Sequence, residues 1–176
     1  MKRALSVALA LMTLPLVRQA GVAQAVDGGS SGSALATVAC PWLALGTASS
    51  LLGVTAVAQV QSAEDGSGSC VFVPTKMKPE NGASPRLTLT VSRVAQPPCN
   101  GHGKPLSGIG NQAEACESSH AHIFTITGRV RERWFRLEGT NLPPESVRAA
   151  APQWKNEPAL PTPLEVAAEQ VAGDLY

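Results

Sequence analysis

The clearest pattern in the chain is the strict alternation from Arg86 to Val94 (RLTLTVSRV), which sets Leu87, Leu89 and Val91 on one side and Thr88, Thr90 and Ser92 on the other. A period of two is that of a β-strand with one buried face and one wet or lightly covered face, the usual state of an antiparallel sheet. Val54 to Gln61 alternates more softly, and Cys70 to Val73 is a short apolar run after the turn-prone EDGSGS segment. Ala121 to Thr127 and Arg133 to Glu138 read as two more strands, joined at Gly128-Arg129. Ile123, Phe124, Ile126, Phe135 and Leu137 are their core positions.

Helical spacing flanks this strand region. Trp42, Leu45, Ala48 and Leu52 recur every three or four residues, which predicts a helix over Pro41 to Leu52. Pro41 suits its first turn, where a missing N–H costs nothing, and Gly53 suits the position that ends a helix. Pro144 to Ala151 predicts a short helix, and Pro163 to Leu175 a better specified one. Thr162 and Glu165 form a T-x-x-E capping box around Pro163, followed by an apolar stripe of Leu164, Ala168, Val171 and Leu175. A proline-rich connection, Pro152 to Pro161, separates the two. Residues 95–120 show no period. A structureless stretch of that length in a small domain is usually functional or internally stapled. The order of elements predicts an α+β fold: a twisted antiparallel sheet of about five strands, with N- and C-terminal helices packed on it.

The N-terminus has another character. Lys2 and Arg3 precede an apolar run from Ala4 to Val17, and Ala23-Gln24-Ala25 places small residues where a signal peptidase would cut. Residues 1–25 therefore read as a signal peptide, 26–35 as a flexible Gly/Ser tether (VDGGSSGS at its heart), and 36–176 as a single α+β domain. With Lys2, Arg3 and Arg18 gone, 11 of the 14 basic residues remain against 13 acidic ones. Such a balance lacks the basic footprint of a nucleic-acid binder. No apolar run in the mature chain approaches the roughly 20 residues of a membrane span. A periplasmic or secreted location is expected.

Export changes the meaning of the cysteines. Cys40, Cys70, Cys99 and Cys116 are even in number, as a disulfide framework requires, and three connectivities are open to them. Sequential pairing, Cys40–Cys70 with Cys99–Cys116, is the expected one. Each of its loops would remove roughly 3 kcal/mol of unfolded-state entropy.

Candidate chemistry is sparse. There is no G-x-S-x-G, H-E-x-x-H, Walker loop or G-x-G-x-x-G. Gly101-His102-Gly103 and Gly108-Ile109-Gly110 do not open a helix after a strand, so they read as turn glycines. His120 and His122 would share a face of a strand, and with His102 they make a conceivable copper or zinc set, although no C-x₂-C spacing accompanies them. Arg129, Arg131, Arg133 and Arg136 crowd the segment RVRERWFR. In a hairpin Arg129, Arg131 and Arg133 would share a face near the turn, able to grip an anionic ligand or acidic partner. Trp134 and Phe135 would point to opposite faces, leaving one aromatic exposed beside them. Protection of a strand edge is the plainer use of such charges. Glu114, Glu117, Glu132 and Glu138 are scattered, with no spacing that singles out an acid/base pair.

Ala39-Cys40 followed by Trp42-Leu43 and Leu51-Leu52-Gly53 resembles the opening helix of small exported bacterial domains of unknown function, best represented among actinobacterial cell-envelope lipoproteins. Ser69-Cys70-Val71-Phe72 resembles their second cysteine strand, residues 105–113 (PLSGIGNQA) their G-h-G-x-x-A signature, and Val166 to Leu175 their last helix. More remotely, the chain is similar to sensor domains of mycobacterial receptor kinases and to PsbP-like α/β/α sandwiches. The resemblance implies a sheet flanked by terminal helices, the first pinned by Cys40–Cys70, and no catalytic residues. This leader lacks a lipidation cysteine at its cleavage site. The expected function is that of an exported, disulfide-stapled, non-enzymatic binding or accessory protein of the bacterial envelope. It would need no cofactor and would recognise an envelope protein or small ligand. The alternative is a periplasmic metal-handling protein using His102, His120 and His122.

Overall fold

The alternating segment becomes an interior strand of a larger sheet. A computed structural model describes residues 39–76, 83–97, 103–118, 122–149 and 161–176, all within a unit running from Leu35 to Tyr176. Strand β3 (Arg86–Ser92) buries Leu87, Leu89 and Val91 and leaves Thr88, Thr90 and Ser92 half-exposed. Its neighbours are β2 (Gly68–Pro74) and β7 (Arg133–Thr140). Residues directly opposite in a ladder share a face, so the register carries the apolar row outward: Cys70 and Leu137 flank Leu89, and Ile126 of β6 (Ile123–Val130) faces Leu137. With β1 (Ala56–Ser62), β4 (Lys104–Leu106) and β5 (Gln112–Ser118) the sheet runs β1-β2-β3-β7-β6-β5-β4, antiparallel throughout.

Among the described residues seven strands replace the five expected. The added hairpin, β4 with β5, lies within 95–120, the stretch read as structureless. Its residues explain why: QAEACES holds Gln, Ala and Glu, none of which favours a strand. Pairing decides instead, since Ala113, Glu114 and Ala115 lie in register with Gly128, Thr127 and Ile126. Burial of Ile109 and Ala113 then fastens the hairpin to the common core.

A second correction concerns the hairpin turn. β6 does not end at Gly128 but continues to Val130, and the chain reverses at Arg131-Glu132 with Arg131 at φ 54. Gly128 stays in the strand because the Phe135 ring lies against it; a Cβ there would stand 2.4 Å from a ring carbon. Any side chain there would have to displace the buried ring.

The helices cover the face that carries Leu89. Helix α1 (Leu45–Leu52) packs on β1, β2 and β3, and α3 (Pro163–Asp174) packs on β6, with the short α2 (Pro144–Val147) touching both helices. Gly53 ends α1 as expected, at φ 68, its N–H reaching the carbonyls of Ser49 and Ser50. The helix begins at Leu45 rather than Pro41, because Trp42 and Leu43 are both buried and Trp42 reaches over to Gly68 of β2. Cys40 is bonded to Cys70, Cα–Cα 5.9 Å, stapling the entry of α1 to β2. Cys116 is also disulfide-bonded, and Cys99 lies outside the described residues. So do the expected leader and tether. Among the described residues no helix is long and apolar enough to cross a membrane.

Candidate functional site

The start of α3 is fixed by its sequence. Thr162 caps the helix: Glu165 N–H donates to Thr162 Oγ1 (3.1 Å), and Thr162 N–H donates to Glu165 Oε2 (2.7 Å). The other oxygen of Glu165 faces Lys104 Nζ of β4 at 3.5 Å. The Lys104 side chain is 74% exposed and that of Glu165 12%, so water screens the pair and its contribution to stability is small. Its position is the informative part. Hollows open on both sides of it.

One hollow, about 270 Å³, lies between the sheet and the first turn of α3. Ala115, Phe124 and Ile126 line it from the sheet, Leu164 and Val147 from the helices, and Glu117 joins Lys104 and Glu165 at the polar margin. Phe124 is only half-buried, unlike the aromatic rings beneath α1. The other hollow, about 340 Å³, has Leu106, Ile109 and Ala149 in its lining. The first of the two, with an apolar interior and a few polar groups at its lip, suits a small amphipathic ligand.

At the far end of α3 lie the arginines. Arg129 and Arg133 do not share a face, because the two-residue reversal pairs Arg129 with Trp134 and Val130 with Arg133. Arg129 is on the open face, 5.7 Å from the Trp134 ring centroid, and its Nε donates to the Arg131 carbonyl (2.9 Å). Arg131 sits in the turn with its guanidinium 4.7 Å from the Tyr176 ring centroid. Arg133 emerges on the helix-covered face and donates to the carbonyls of Gly66 and Asp65 in the β1–β2 turn. Arg93 adds a longer contact to the same Asp65 carbonyl (3.5 Å). Arg93, Arg131 and Arg133 line a hollow of about 330 Å³ with Glu132. Arg133 is thus committed to holding a turn. Trp134 is half-buried on the open face and Phe135 is buried on the other, as their alternation predicts.

His122 precedes β6 at φ 47, exposed, its carbonyl accepting from Asn141 N–H (3.1 Å). It therefore does not lie on a strand face as expected. His102 and His120 lie outside the described residues. Among the described residues no group of three or more His, Cys, Asp or Glu side chains could hold a metal ion. Of the glutamates, Glu114 takes a 3.4 Å contact from Thr127 Oγ1 and Glu138 is paired with Arg136 at 2.8 Å; both are on the open face.

Sequence reasoning missed Lys104, Phe124 and Glu165 as parts of one place. Only the capping box signalled where Glu165 would stand, and nothing signalled that β4 would bring Lys104 to it. No protein-family model matches the chain, nor does any curated protein or solved structure.

Proposed function

We propose that this chain is an exported, non-enzymatic binding protein of the bacterial envelope, stapled by two disulfides, that seats a small amphipathic ligand beside the start of α3. The observation that carries the reading is the hollow of about 270 Å³ between Phe124, Ala115 and Leu164. It lies between β4, β5 and β6 on the sheet side and α2 and the first turn of α3 on the other. The apolar floor supplies affinity and the Lys104–Glu165 pair at the margin supplies orientation. The leader, the even cysteine number and the Cys40–Cys70 bridge support export.

The probe is anilinonaphthalene sulfonate, an apolar fluorophore with one anionic group. Oxidised protein should bind it at one saturable site, and Ala115→Trp, which fills the hollow, should abolish that site with an unchanged circular dichroism spectrum. Equal binding by both proteins would overturn the assignment. Export is tested by sequencing the N-terminus of protein recovered from periplasm or medium. A start near Val26 supports it; an intact Met1 in cytosolic material with free thiols overturns it.

A further inference from the structure

The two edges of the sheet are built differently. β4 is three residues long and holds Lys104 and Pro105, a charge and a residue without an N–H. Both devices discourage another strand from adding there. β1 is seven residues long, AVAQVQS, with no charge and no proline. An exposed edge of that kind is a template for strand addition.

The backbone shows which groups are on offer. Thr75 N–H donates to the Thr55 carbonyl (3.0 Å) and Ala63 N–H donates to the Ser67 carbonyl (2.8 Å), so the odd-numbered residues of this stretch bond inward to β2. Alternation turns the even-numbered ones outward. Ala56 N–H is one of these, and it is already capped by Ser49 Oγ at 3.1 Å. Ala58, Val60 and Ser62 remain, their outward N–H and C=O groups without hydrogen bonds among the described residues.

We propose that β1 is the docking edge for a second copy of this chain, paired antiparallel about Val60. The three outward residues are evenly spaced around Val60, so a two-fold axis there sets Ala58 of each copy opposite Ser62 of the other and Val60 opposite itself. Each facing pair exchanges two hydrogen bonds, and the Ser49 cap at Ala56 ends the ladder. A two-fold axis brings every charge near its own kind. β1 has none, so self-pairing meets no repulsion, and Gln59 of each copy faces Gln61 of the other on the open side of the sheet. The exposed Val57 (36%) also lies on that side. β1 is remote from the ligand hollow, which lies over β5 and β6 toward the opposite edge, so neither reading depends on the other.

Sedimentation velocity across a concentration series tests it on the oxidised chain. The wild type should shift from monomer to dimer as concentration rises. Gln59→Lys with Gln61→Lys places four lysines across the axis on exposed positions and should weaken the dimer at least about tenfold. Ala58→Pro removes one outward N–H without touching the ladder to β2 and should weaken it as well. A wild type that stays monomeric throughout overturns the proposal, as does a dimer that persists unchanged in both variants.

Discussion

Beneath α1 the sheet is closed, and beneath the first turn of α3 it is open. Under α1, Leu43, Leu51 and Leu52 share one cluster with Phe72, Leu87 and Leu89, every one of them almost wholly buried. The buried face of α3 is Leu164, Ala167, Ala168, Val171 and Ala172. Three alanines let that helix lie close to β6 but give it nothing long enough to reach the outer strands. Phe124 is left half-covered and the hollow stays unfilled. The difference lies in side-chain volume. Where bulky residues face bulky residues the chain builds stability, and where small ones face the sheet it leaves room for something else.

The largest expected effect separates these halves directly. Leu89→Ala, in the closed half, should cost about 2–5 kcal/mol, since the cavity it leaves cannot collapse in a close-packed core. Phe124→Ala should cost clearly less than the roughly 3–5 kcal/mol of a fully buried ring, because one side of the ring already faces the hollow. Urea unfolding of the two variants checks both. Near-equal costs scaled for size would mean that the hollow is closed in solution.

Next in size is the staple of the closed half. Cys40→Ser with Cys70→Ser opens a loop with a sequence separation of 30, which should cost about 3–4 kcal/mol by unfolded-state entropy. Hydrogen exchange should accelerate in α1 and β1 before β5 and β6. A uniform rise across the sheet would show that the bridge does not act on one half.

These halves were not equally legible in the sequence. The closed half follows from local signals: the alternation of Leu87, Leu89 and Val91, the helical spacing of Ala48 and Leu52, and the terminating Gly53 at φ 68. The α3 cap was equally local, and both of its hydrogen bonds are present. The open half depends on β4 and β5, whose residues carry no strand preference and take their conformation from register with β6. Sequence spacing cannot report such a pairing. The hairpin turn misled for a related reason: Gly128 looks like punctuation, yet it is glycine because Phe135, seven residues on, needs the space. That displacement of the turn moved Arg129 and Arg133 to opposite faces.

A smaller effect sharpens the picture of the open half. Thr162→Ala removes the acceptor for Glu165 N–H and should cost about 1 kcal/mol. The first turn of α3 forms one wall of the hollow, so its fraying should also weaken fluorophore binding. Amide exchange at Glu165, read by nuclear magnetic resonance, should rise while that of Val171 stays protected. If both rise together, α3 opens as a unit and the cap does not govern the wall.

The smallest effect belongs to the closed half and depends on pH. Asp65, in the β1–β2 turn, accepts from Ser67 Oγ (2.6 Å) and Ser67 N–H (2.9 Å). These bonds hold its carboxyl below the ordinary 3.8, with the nearby Arg93 and Arg133 cations acting in the same direction. A carboxyl whose folded-state pKa is depressed binds its proton less readily in the folded chain than in the unfolded one. Its contribution is therefore complete above the ordinary value and is lost as pH falls through the lower, folded value. Asp65→Asn keeps the acceptor oxygen and removes the charge. The wild type should be slightly more stable than this variant at neutral pH, and the gap should close in acid. Added salt should narrow the neutral-pH gap through the arginine part, because the group is exposed. Unfolding midpoints of both proteins, measured at neutral pH and well below 3.8, give the sign. A gap that is unchanged on acidification would mean that the Asp65 charge does not act and that the turn is held by the carbonyl contacts of Arg133.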